Sequence, residues 1–124
     1  MIYGIGTDIL RISRIATVIK DDIEDPFITK TFTPKELVLI MNRPNPLYCY
    51  ATRFAGKEAV FKALGVGGND IDLCDIEILE LENGQPCVTL LGKAKNIADN
   101  KGINQVLISL SYDTDYAIAY ATCI

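Results

Sequence analysis

The chain of 124 residues contains no histidine. That absence removes Ser-His-Asp and Cys-His catalysis and every imidazole general base. It also leaves nothing to complete a zinc site, because the four cysteines, Cys49, Cys74, Cys87 and Cys123, form no Cys-x-x-Cys pair. Their wide spacing reads as four free thiols in a reducing cytosol. Any chemistry must rest on carboxylates, lysine, tyrosine or a metal with oxygen ligands, which favours Mg²⁺, Ca²⁺ or Mn²⁺ over zinc. Positive charge is also scarce: 12 Lys and Arg stand against 16 Asp and Glu, a net charge of −4. This argues against a nucleic-acid partner, which needs a basic surface. No uncharged apolar run approaches the ~18 residues of a membrane span. Met1-Ile2-Tyr3-Gly4 lacks the basic and apolar regions of a signal peptide. The expectation is a soluble, cytoplasmic protein without membrane or nucleic-acid contacts.

What is present is apolar. Hydrophobic residues make up 49% of the chain, which excludes disorder. The length fits a single domain over residues 1–124, burying roughly two thirds of its unfolded surface. Alternation predicts a strand from Ile2 to Ile9, with Gly4 and Gly6 on the face that carries Asp8. Ile12, Ile15, Ala16 and Ile19 predict a helix from Arg11 to about Asp22, with Asp21-Asp22 through Asp25-Pro26 marking its end. Thr33-Pro34-Lys35-Glu36 reads as a capping box opening another helix. A long helix is predicted from Leu47 to Leu64, followed by the loop Gly65-Val66-Gly67-Gly68. The second half predicts a hairpin around Asn83-Gly84, a short helix from Gly92 to Lys101, and a second hairpin across Asp113-Thr114-Asp115. The sum is an α+β fold, an antiparallel sheet with helices packed on one side. The last strands, with Ile118, Ala119, Tyr120 and Ala121, are apolar enough to be covered on both faces, with another subunit as a candidate cover.

Two carboxylates stand out. On the long helix Glu58 falls in the sector of Leu47, Ala51, Phe54, Ala55 and Phe61, taken as the core face, while Arg53 and Lys57 share another face with Val60 and Leu64. A carboxylate in an apolar stripe is costly unless paired or metal-bound. Two readings are open: an ion pair with Lys62 one turn on, or a metal ligand beside a cationic phosphate contact. Asp8 is either an N-cap or a second ligand, with Gly4 and Gly6 clearing space beside it. Together they suit Mg²⁺, which takes one or two carboxylates and fills its shell with phosphate and water.

At these positions the sequence resembles the holo-acyl-carrier-protein synthases, the small trimeric class of 4'-phosphopantetheinyl transferases. The resemblance rests on Gly4-Ile5-Gly6-Thr7-Asp8-Ile9 with Arg14-Ile15, and on Arg53-Phe54-Ala55-Gly56-Lys57-Glu58-Ala59 through Lys62-Ala63-Leu64-Gly65. Thr31 to Leu37, Asp75-Ile76-Glu77-Ile78, Asn83-Gly84-Gln85-Pro86, Ser109-Leu110-Ser111-Tyr112 and Tyr116-Ala117-Ile118-Ala119 extend it along essentially the whole chain. It implies transfer of the 4'-phosphopantetheine group from coenzyme A to a serine of apo-acyl carrier protein, releasing 3',5'-ADP. Asp8 and Glu58 would hold Mg²⁺, with Mn²⁺ as a substitute. Lys62 would contact phosphate and, with Asp8 and Glu58, form the catalytic set. The serine proton would pass to Glu58 or to a metal-held water. Arg53, Lys62, Gly65, Gly67, Ser111 and Tyr112 would meet coenzyme A. Arg14 would meet the acidic carrier, and the protein would be a homotrimer with sites between subunits. The chain departs from the family at Tyr112, where histidine is common; tyrosine donates a hydrogen bond but carries no positive charge at neutral pH. Its first helix is also lightly basic, because Arg11, Arg14 and Lys20 are followed by Asp21, Asp22, Glu24 and Asp25. The rival readings are a non-catalytic binding protein for the carrier or coenzyme A, a Mg²⁺-dependent phosphohydrolase, and a structural module.

Overall fold

Helix α4 (Pro46–Leu64) is the element around which the rest assembles. The computed structural model describes residues 1–19 and 25–124. Before α4 come β1 (Gly4–Arg11), α1 (Ile12–Ile19), α2 (Pro26–Thr31) and α3 (Pro34–Met41). After it come a 3-10 turn at Leu73–Asp75, β2 (Ile76–Glu80), β3 (Pro86–Leu90), α5 (Gly92–Lys101), β4 (Val106–Tyr112) and β5 (Tyr116–Cys123). The architecture is α+β, as the residue pattern predicts. Its antiparallel strands form two sheets rather than one: a three-stranded sheet in the order β1-β5-β4, and the hairpin β2-β3.

Local chemistry explains the helix starts. At α3, Thr33 Oγ1 accepts from the Glu36 amide at 3.2 Å and the Thr33 amide donates to Glu36 Oε1 at 2.9 Å. Pro34 fills the first helical position, where no amide is needed. Helix α2 was not expected. Asp25 caps it by accepting from the Phe27 amide at 2.8 Å, and Pro26 follows. Its six residues are too few to show a helical period, so the Asp-Pro pair reads only as a break. The first strand runs on through Arg11 because Asp8 to Arg11 pair with Ala119 to Tyr116 of β5, and α1 starts only at Ile12. The helix end expected at Asp21-Asp22 lies outside the described residues.

Side-chain size sets the depth of the core. The α4-facing residues of β5 are Ala117, Ala119, Ala121 and Cys123, all buried. On β1 a Cβ at Gly4 would lie 2.0 Å from the Ala63 carbonyl oxygen, and one at Gly6 would lie 2.0 Å from that of Ala59. The glycines therefore admit the helix backbone itself. They do not clear room beside Asp8, because α4 occupies that room. Gly6→Ala must push α4 off the sheet, and a loss of about 1–3 kcal/mol in urea unfolding is expected; an unchanged midpoint would contradict this contact.

The expected core face of α4 also needs correction. Ala51 and Ala55 of that face are buried, but so are Arg53, Lys57, Val60 and Leu64 of the other, while Leu47, Phe54 and Phe61 are only partly so. The helix is flanked by the sheet on one side and by α3 and β2 on another, so its apolar residues run all round and periodicity selects no unique inner face. Lys57 is buried because its ammonium finds three acceptors: Glu36 Oε1 at 2.7 Å and the carbonyls of Leu73 and Ile76 at 3.0 and 2.5 Å. The far face of the three-stranded sheet stays open, with Ile5, Ile9, Ile118 and Tyr120 between 46% and 67% exposed.

Candidate active site

Asp8 projects from β1, opposite Ala119, toward the Phe54–Glu58 flank of α4. It is an interior strand residue and caps no helix. Asp8 and Glu58 line one cleft of about 380 Å³, with Arg14 from α1 at its side and Leu10, Ile15 and Phe54 among its apolar walls. The Lys62 ammonium donates to the Thr7 carbonyl at 2.8 Å and lies 3.5 Å from Asp8 Oδ1. Among the described ion pairs Lys62 faces Asp8, not Glu58. The bland readings of both carboxylates, N-cap and helical ion pair, are thus replaced by one shared cleft.

The electrostatics tie the two acids together. Burial raises the pKa of Asp8, against the opposing pull of Lys62. Burial also raises Glu58, and the Asp8 charge raises it further, with Lys62 again opposing. Two carboxylates that repel each other across a half-buried cleft, with one lysine beside Asp8, gain from a divalent cation. No group of three His, Cys, Asp or Glu gathers among the described residues. The protein offers two hard oxygen side chains there, which fits a cation that completes its shell from substrate oxygens and water.

Beyond Lys62 the helix ends at Gly65, in the left-handed region at φ 70°. Such a backbone favours glycine. Lys101, at the end of α5, holds this terminus by donating to the Leu64 carbonyl at 2.7 Å. Gly67 donates its amide to Asp70 Oδ2 at 2.7 Å, which ties the following loop to itself.

The remaining expected residues lie elsewhere. Arg53 and Tyr112 line a separate pocket of about 420 Å³, to which neither Asp8 nor Glu58 contributes. Tyr112 stacks on Tyr48, with ring centroids 5.0 Å apart and planes at 21°. Arg43 and Glu80 join this pocket and were not anticipated. Arg43 sits in the break before α4, which reads as a connector; a positive charge just ahead of Pro44 and Pro46 is the signal that marks it. Ser111 is exposed beside Tyr112 and lines neither hollow.

In this small α+β fold a carboxylate pair lies where a helix crosses a three-stranded sheet, with a lysine one turn further along that helix. Residues 4–121 match the model of the 4'-phosphopantetheinyl transferase superfamily, and the chain belongs to that family. A holo-[acyl-carrier-protein] synthase from Desulforudis audaxviator is 40% identical over 124 residues, covering 100% of this chain and 94% of that protein. One from Alkaliphilus oremlandii is 41% identical, covering 100% of both. Among solved structures, holo-[acyl-carrier-protein] synthase from Neisseria meningitidis superposes with a TM-score of 0.89 at 32% identity, covering 100% of this chain and 99% of that one. The Helicobacter pylori enzyme in complex with coenzyme A superposes with a TM-score of 0.82 at 33% identity, covering 97% and 99%.

Proposed function

We propose that this protein transfers the 4'-phosphopantetheine group from coenzyme A to a serine of an apo-acyl carrier protein and releases 3',5'-ADP. The observation that carries this reading is the shared cleft of Asp8 and Glu58, whose raised pKa values and mutual repulsion call for a cation. Asp8 and Glu58 would hold Mg²⁺, or Mn²⁺ in its place. Bound there, it would neutralise charge on the pyrophosphate. The serine oxygen forms a bond to the β-phosphorus, the bond to 3',5'-ADP breaks, and the serine proton passes to Glu58 or to solvent. Lys62, 54% exposed at its side chain and anchored on the Thr7 carbonyl, steers a phosphate oxygen beside Asp8. Arg14, exposed on the rim of the same cleft, meets the acidic carrier. Gly65 and Gly67 border the nucleotide, and Arg53, Ser111 and Tyr112 complete its binding.

The last assignment needs a second copy. In one chain the Arg53–Tyr112 pocket and the Asp8–Glu58 cleft are separate, and a homotrimer would set the pocket of one subunit against the cleft of the next. The open sheet face bearing Ile9, Ile118 and Tyr120 is the surface offered for that assembly. Ile118→Glu is expected to give monomers in light scattering and to lose transfer; a trimer with normal transfer would refute this interface. A cytoplasmic setting accords with four unpaired cysteines. No described helix is long and apolar enough to cross a membrane.

Chromatography of the nucleotide products tests the reaction. Release of 3',5'-ADP is expected only when apo-carrier is present. Release from coenzyme A without carrier would favour a phosphohydrolase.

A further inference from the structure

We infer that Glu80 is the resident counter-anion of the Arg43–Arg53 pocket, and that a phosphate of the nucleotide part of coenzyme A displaces it. This rests on the transferase reading above and adds a residue that controls affinity for its substrate. Glu80 ends β2 and sits between two guanidinium groups: Oε1 pairs with Arg43, and Oε2 lies 3.4 Å from Arg53 Nη2. Two cations thus share one carboxylate. Arg53 is poorly served by it. Its side chain is only 10% exposed, and among the described residues its one ionic contact is long and its Nε is buried without a hydrogen-bond partner. A buried N–H without an acceptor is costly, and a guanidinium edge is shaped for a paired oxyanion. The Glu80 carboxylate reaches each arginine with a single oxygen. A phosphate group brings three oxygens and up to two negative charges, enough to serve both forks and the orphan Nε together.

The pocket has room and shape for such a ligand. It holds about 420 Å³, and the stacked Tyr48 and Tyr112 rings form one wall beside Asn45 and Thr52. Tyr112 adds a hydroxyl but no charge, so the two arginines supply all the positive charge that lines the pocket. Glu80 is 26% exposed at its side chain and needs only a rotamer change to turn toward water. While it stays, it neutralises the arginines and repels an incoming phosphate. It therefore supports the empty pocket and opposes the filled one.

That dual role gives a test with two opposite signs. In Glu80→Gln the ligand-free melting temperature falls, because buried Arg53 loses the carboxylate that faces it. In the same variant, calorimetry with 3',5'-ADP gives binding about tenfold tighter than wild type at low salt. The advantage shrinks as salt is raised. A plain structural ion pair predicts lower stability with unchanged or weaker binding, and that result would overturn the inference. The wild-type protein offers a second readout should the variant fold poorly. The Arg53 Nε–H resonance shifts when 3',5'-ADP is titrated if the phosphate reaches the pocket; an unmoved resonance in saturated protein overturns the assignment. Failure of wild type to bind either coenzyme A or 3',5'-ADP would overturn the transferase reading and this inference with it. Normal binding with unaltered affinity in Glu80→Gln would overturn the role of Glu80 alone.

Discussion

Glu58→Gln is expected to abolish transfer while leaving the metal-free protein as stable as wild type or slightly more so. Removing a group that accepts the serine proton costs on the order of 10²–10⁴ in rate, and loss of a side chain that would hold the metal adds to that. The stability effect has the other sign. Burial and the Asp8 charge both raise the Glu58 pKa, so the fold disfavours its ionised form. The folded protein holds its proton to a higher pH than the unfolded chain does. The contribution of Glu58 to stability is therefore most favourable at low pH and is lost as pH rises through the raised value. Glutamine has no charge to bury and escapes that loss. The cleft is partly open to water, so the gain in melting temperature is limited to a few degrees at most. Scanning fluorimetry in chelator, beside a carrier-modification assay, reads both effects. Wild-type transfer in the variant would remove Glu58 from the site. A large drop in melting temperature would mean that it serves the fold instead.

Lys57→Met is expected to produce the largest loss of stability in the chain, about 3–5 kcal/mol in urea unfolding. Lys57 and Glu36 are both fully buried, 2.7 Å apart. Glu36 also accepts from the Thr33 amide and from the Ile78 amide at 2.8 Å, so one carboxylate gathers α3, β2 and α4. Burial lowers the Lys57 pKa and the Glu36 charge draws it back up. Methionine fills the space but leaves the Glu36 charge unpaired and strands the Leu73 and Ile76 carbonyls. Combining Lys57→Met with Glu36→Gln should recover part of the loss, because the stranded charge is then gone. A single variant that loses less than about 1 kcal/mol would show that water or another cation reaches Glu36.

Much of the fold is legible in the residues because its signals are local. The Thr33-Pro34-Lys35-Glu36 box, the Asn83-Gly84 turn and the Gly102 stop act over a few positions each, and each acts where expected. Glu58 is legible for the same reason, since it breaks an apolar sector of the helix, whereas Asp8 is marked by its place in the first strand after Gly4 and Gly6. What was not legible depends on distant partners. Lys57 looks like a surface charge until Glu36 and two carbonyls from 16 and 19 residues away close around it. Gly4 and Gly6 look like space beside Asp8 until the carbonyls of Ala59 and Ala63 are laid against them. Arg53 lies five residues from Glu58, less than two turns of helix, yet it opens into a different pocket. Which face of a helix meets which hollow is decided by everything packed around it.

The most direct test of the central claim is the intact mass of an apo-acyl carrier protein incubated with this protein, coenzyme A and Mg²⁺. The Asp8–Glu58 site predicts a gain of one phosphopantetheine group, lost with chelator and lost in Glu58→Gln. No gain in the presence of folded protein and competent carrier, or a gain indifferent to chelator and to Glu58, would contradict the account.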